Sequence, residues 1–284
     1  MMKNFLVATS IALVSLFANP INVSAQEDWS LSGFSWPESA LWDKARQHYI
    51  LSNINGNPTE ADGKGYLSKI SSDGKVLKAK WVTGLDAPKG MALVGHDLIV
   101  ADLGNIHVID GKTGEKRETI AVPGAKLLND VTSNGKEAWI SDWMGNGIWH
   151  YRDGKVTLWY QGEEIIHPNG LLVENDHLLV GTWGEEIQPD FTTKVPGDLK
   201  AISLKEKTVT TLAKSVGNLD GVIRFKGRLL TNDWITGQIF EISDTGEAKE
   251  IMKLKQGLAD ISHDGSALLL PFMLEGELKR QELK

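Results

Sequence analysis

Four side chains that could bind a hard cation or move a proton stand at equivalent points of a recurring unit: Glu38, Asn129, Asn169 and Asp220. Each follows a Pro or Leu and precedes a small or acidic residue, in Pro37-Glu38-Ser39, Leu128-Asn129-Asp130, Pro168-Asn169-Gly170 and Leu219-Asp220-Gly221. Two further starts, Pro88-Lys89-Gly90 and Leu258-Ala259-Asp260, complete a set of six. Brought to one place, the carboxylates of Glu38 and Asp220, with Asp130 or Asp260 beside them, would repel one another and resist leaving water unless something positive joined them. A hard divalent cation does this. Calcium, and less flexibly magnesium or manganese, takes carboxylate and amide oxygens and leaves positions open for water. Zinc ranks behind these, because no His or Cys occupies a repeat start. A single Asn or Asp before Gly is a common turn former. Four such residues at equivalent points of one closed ring are poorly explained by turn formation alone.

The elements that must position these residues follow from the intervals between the starts, which are 51, 40, 40, 51 and 39 residues. A four-stranded propeller blade takes about 40–50 residues. Short apolar segments alternate with Gly, Asn and Asp turns throughout, and no long segment shows a helical period. A second strand in each unit ends in a matching triplet: Ser52-Asn53-Ile54, Ala101-Asp102-Leu103, Ser141-Asp142-Trp143, Gly181-Thr182-Trp183 and Asn232-Asp233-Trp234. Asp73-Gly74, Asp110-Gly111, Asp153-Gly154 and Thr245-Gly246 supply hairpin turns. The expectation is an all-β, six-bladed β-propeller over residues 26–284, closed by residues 29–34 joining the last blade. A β-sandwich does not account for the fixed period. The first and second strands of a blade run antiparallel, so strand starts and second-strand ends share one face of the disc. The extra length of the first and fourth units, residues 55–64 and 185–196, should rise over that face from opposite sides.

The remaining features bound the function. Lys3, an apolar run over residues 5–17 and Val23-Ser24-Ala25 read as an export signal over residues 1–25, too short in its apolar part to span a bilayer. A periplasmic or secreted location follows, with no membrane span after signal cleavage. The chain has no Cys, so thiolate and disulfide chemistry are excluded. A net charge of −7 argues against nucleic acid as a partner and for a small-molecule substrate that is not a polyanion. No Gly-x-Ser-x-Gly elbow exists. Gly111-Lys112-Thr113 imitates the end of a phosphate loop, but the first Gly of that motif would fall at Ile106, so a hairpin turn is the better reading. His167 is an ordinary loop His or an acid–base helper near the mouth, and Lys89 a carboxylate contact or a partner of a neighbouring acid. Trp143, Trp183 and Trp234 end second strands and would wall a pocket or pack between blades.

With these four start motifs spread over the whole mature chain, the sequence resembles the senescence-marker-protein/gluconolactonase family, in an exported bacterial branch. The resemblance implies a divalent cation held at Glu38, Asn169 and Asp220, with Asn129 completing the shell directly or through water or substrate. It also implies that Asp220 acts as general base, so that Asp220 and Asn129 are the catalytic residues of a lactone hydrolase, a carboxylic ester hydrolase. Calcium is the first expectation for the cation, followed by magnesium, manganese or zinc. The sequence departs from sugar-lactone members two residues before Asn129, where they tend to carry a basic residue and this chain has Leu127. The rival expectation is a non-catalytic, metal-containing propeller that serves as a periplasmic ligand- or protein-binding module.

Overall fold

The computed structural model describes Met1 and residues 27–283. The expected export signal therefore lies outside the described residues. Six antiparallel sheets form a six-bladed propeller. One short 3-10 turn, Glu163–Ile165, is the only helical segment among the described residues, and no helix there is long and apolar enough to cross a membrane. The innermost strands are Pro37–Asp43, Pro88–Val94, Leu128–Ser133, Pro168–Glu174 and Leu219–Phe225, each starting at an expected motif. The sixth is reduced to Ser262–His263, with Leu258 bridged to Phe272. Its partner strand Leu268–Phe272 contains Pro271, which has no N–H to give the ladder. Ala259 N–H donates to the Pro271 carbonyl instead (2.9 Å).

The apolar core divides into six clusters, one at each junction between neighbouring blades. Successive residues of a strand face opposite sides, so each central strand feeds two junctions. Leu98 and Val100 pack toward the first blade, while Ile99 and Ala101 pack toward the third. No blade buries its own core, which is why the ring must close. Trp29–Ser32 closes it by pairing with Glu277–Gln281 as the outer strand of the sixth blade, as the sequence leads one to expect. Arg280, fully buried in that blade, donates through Nε to Asp264 Oδ2 (2.7 Å), which also accepts from the Tyr49 hydroxyl of the first blade (2.8 Å).

Candidate functional site

Five inner strands share one irregularity. Between Pro37 and Ala40, Pro88 and Met91, Leu128 and Val131, Pro168 and Leu171, and Leu219 and Val222, one extra residue is inserted against the second strand. Such a bulge breaks the ladder and turns a side chain out of its normal alternation. Its first residue is Glu38, Lys89, Asn129, Asn169 or Asp220, and all five line one cavity of about 570 Å³ on the disc face. The N–H groups that the bulge frees find side-chain acceptors on the second strand: Ser39 N–H on Ser52 Oγ (3.0 Å), Asp130 N–H on Ser141 Oγ (2.8 Å) and Gly221 N–H on Asn232 Oδ1 (2.9 Å).

The second bulge residue lies against the next blade. A Cβ on Gly170 would sit 1.6 Å from the Asp220 carbonyl oxygen, so only Gly allows this approach. Asp130 and Asp260 occupy the same second position, not the cavity lining. Asp130 accepts from its neighbour Val131 N–H and from Leu171 N–H of the fourth blade (both 2.6 Å). Asp260 accepts from Ser39 Oγ (2.6 Å), tying the sixth blade to the first.

The second-strand ends hold the connections leading into the starts. Asp102 accepts from Asp86 and Ala87 N–H (2.7 and 2.6 Å), Asp142 from Leu127 N–H (2.8 Å) and Asp233 from Asn218 N–H (3.1 Å). Sequence reasoning saw these Asp residues as repeat markers and missed that they fix the approach to each bulge. Their recurrence at one strand end beside a polar start is the signal that could have shown it.

On the floor of the cavity, Asn129 Nδ2 donates to Asn169 Oδ1 (2.6 Å), and Asn169 Nδ2 donates to Asp220 Oδ1 (3.0 Å) and to the Leu219 carbonyl (3.1 Å). Burial and then the Asp130 charge push the Asp220 carboxyl up to about 8, against an amide contact from Asn169 that lowers it. Glu38 is raised well above the carboxylate range by burial and by Asp220, with Lys89 pulling the other way. Two buried oxygens on this floor, Glu38 Oε2 and Asn129 Oδ1, have no hydrogen-bond donor. Buried acceptors left in this state are costly. The fourth- and fifth-blade residues Asn169 and Asp220 thus sit in direct contact, with Asn129 and Glu38 on either side of the same cavity.

A hard divalent cation fits these residues. It would give both orphan oxygens a partner and lower the cost of holding two carboxylates out of water. Among the described residues no group of three or more His, Cys, Asp or Glu side chains is placed to hold a metal. The floor offers instead two carboxylates and two carboxamides, all oxygen donors once an amide turns its oxygen inward.

The walls are apolar. Trp143, Trp183 and Trp234 form a row along the third, fourth and fifth blades, with ring centroids 5.6 and 6.0 Å apart. Trp36 faces them from the first blade, held at φ 54° just before Pro37, an unusual conformation for a bulky residue. Leu127 lines the cavity beside Asn129. Both long insertions reach it: the first as a loop through Pro58 and Thr59, the second through Phe191. The second is not a loop but a hairpin, because Gly184–Ile187 pairs with the beginning of Thr193–Ser203. The Phe191 carbonyl accepts from Trp183 Nε1 (2.9 Å), which anchors the hairpin tip. His167 is absent from the lining; its Nδ1 contacts the Gly184 carbonyl (2.7 Å). Gly111-Lys112-Thr113 is a turn, with Asp110 Oδ1 accepting from Lys112 and Thr113 N–H.

No protein-family model matches the sequence, and no curated protein does. Solved structures do. A gluconolactonase from Xanthomonas campestris superposes with a TM-score of 0.65 at 15% identity, over 94% of each chain. A putative gluconolactonase gives 0.64 at 16% identity, over 94% of this chain and 98% of its own. Virginiamycin B lyase from Staphylococcus aureus gives 0.61 at 13% identity, over 91% and 99%. At such identities the likeness is one of fold, and this fold carries more than one chemistry.

Proposed function

We propose that this chain is a divalent-cation-dependent hydrolase of a small lactone or related ester, exported to the periplasm or secreted, with calcium as the first candidate cation. The observation that carries the reading is the cavity floor: two unpartnered buried oxygens, Glu38 Oε2 and Asn129 Oδ1, lie with Asn169 and Asp220 beneath apolar walls. The likeness in fold to gluconolactonases supports it. Glu38, Asn169 and Asp220 would hold the cation, which when bound would polarise a lactone carbonyl and stabilise negative charge on its oxygen. The residues do the rest. Asp220 accepts the proton of the attacking water. Asn129 Oδ1 completes the cation's shell directly or through the water or substrate that it orients. The tryptophans and the two insertions exclude bulk water and hold the apolar part of the substrate.

The test is a panel of lactones, esters and phosphoesters assayed with purified protein before and after treatment with chelator. Cation-dependent hydrolysis of lactones is the expected result. Leu127 offers no charge to grip hydroxyls or a carboxylate, so less polar lactones should outrun polyhydroxy sugar lactones. Inactivity across the panel, with the fold intact and cation present, moves the chain to a non-catalytic binding propeller.

A further inference from the structure

Lys89 is the one cation at the first bulge position, in a ring otherwise made of Glu38, Asn129, Asn169, Asp220 and, at the sixth start, Ala259. It is 5% exposed. Its Nζ donates to the Ala87 carbonyl (3.0 Å) and to the carbonyl of Pro58 in the first insertion (3.2 Å). An ammonium has three donors, so one remains for whatever enters the cavity. Among the described residues no carboxylate forms an ion pair with it. In a six-fold ring the second blade faces the fifth, which sets Lys89 across the axis from Asp220.

We propose that Lys89 is the general acid of the reaction, protonating the departing ring oxygen while Asp220 works from the opposite side. The proposal rests on the lactone reading above. Water adds to the carbonyl carbon as Asp220 takes its proton. The ring C–O bond then breaks, its electron pair stays on the ring oxygen, and that oxygen takes a proton from the Lys89 ammonium. Lys89 regains a proton from solvent and Asp220 returns one, so the sum is lactone plus water to hydroxy acid. Burial lowers the hold of Lys89 on its proton, with Glu38 and Asp102 acting against that.

The distinguishing measurement is dependence on the leaving group. A six-membered alkyl lactone expels an alkoxide, which needs a proton. A benzo-fused lactone of the same ring size expels a phenolate, whose conjugate acid lies near 10 as in Tyr. General acid catalysis is worth about 10²–10⁴-fold. Lys89→Met should therefore lose at least about tenfold more kcat on the alkyl lactone than on the aryl one. Both rates are read from one sample, so the folded fraction cancels. Lys89→Arg keeps charge and N–H groups but cannot release a proton, and it should show the same skewed loss. Equal losses on both lactones, or a Lys89→Arg ratio like that of wild type, overturn the proposal and leave Lys89 as an anchor. Wild-type protein inert on both lactones overturns the lactone reading with it.

Discussion

Taking Glu38 and Asp220 out of water in one cavity raises the proton affinity of each, and the cation-free protein bears that cost. For Asp220 the sign is definite. An unfolded Asp ionises near 3.8, and the folded one near 8. Between about pH 4 and pH 8 the folded state therefore binds the extra proton, and stability falls as pH rises through that window. Asp220→Asn removes this slope. In chelator, its melting temperature should exceed that of wild type at pH 8 and match it near pH 4. A variant less stable than wild type at pH 8 would show that Asp220 is held by a partner other than a proton. The roles of Asp220 and Asn129 separate kinetically. On the roles proposed above, Asp220→Ala loses both the base and a cation ligand, so kcat should fall by several orders of magnitude. Asn129→Ala loses one amide that water can replace, and should fall by about tenfold to a hundredfold with cation still bound. Equal losses would merge the two roles.

Elements decide whether those residues meet at all. The bulge at five of the inner-strand starts aims one side chain at the cavity, and its second residue packs on the next blade. Gly170→Ala drives a methyl into the Asp220 carbonyl, so the fourth and fifth blades must part. Overpacking of this kind costs about 1–3 kcal/mol or more, and here it would also displace Asp220, a proposed cation ligand. The expected outcome is a lower melting temperature together with weaker stabilisation by added calcium. Gly104→Ala, where an added Cβ meets nothing within 4 Å, should do neither and serves as control. The blade period, the closing strand and the shared face were legible in the sequence because they follow from alternation, turn residues and antiparallel direction. The bulge was not. It is a mismatch between two strands, and Asp130 and Asp260 fall at its second residue, which no count along one strand reveals. The hairpin at residues 184–187 was hidden for a similar reason: its partner is the beginning of a strand that the sequence places later in the blade. Lys89 was visible as an odd member of the ring, but its contact with Pro58 is made between blades.

The whole molecule is a ring with its apolar clusters at the junctions, so anything that bridges distant blades stabilises every junction between them. A cation at Glu38, Asn169 and Asp220 would join the first blade to the fourth and fifth across the axis. The first blade is also where the ring closes, through Asp260 on Ser39 and Tyr49 on Asp264. Cation binding should therefore act on global unfolding rather than on local fraying of the mouth. A ligand bound only by the folded state, at a hundred times its Kd, adds about 2.7 kcal/mol, or about 5–10 °C in a chain of this size. Because the carboxyls give up protons to the cation, the gain should be larger at pH 8 than at pH 5. Calorimetry of chelated protein with calcium, magnesium or manganese added back reads both effects. Hydrogen exchange on the same samples locates them: protection should rise in Pro37–Asp43, Pro168–Glu174 and Leu219–Phe225 together with the closing pair Trp29–Ser32 and Glu277–Gln281. Protection confined to the two insertions, with an unmoved melting temperature, would mean that the cation orders the lid without clamping the ring. No thermal or exchange response to any of the three cations would remove the cation site itself.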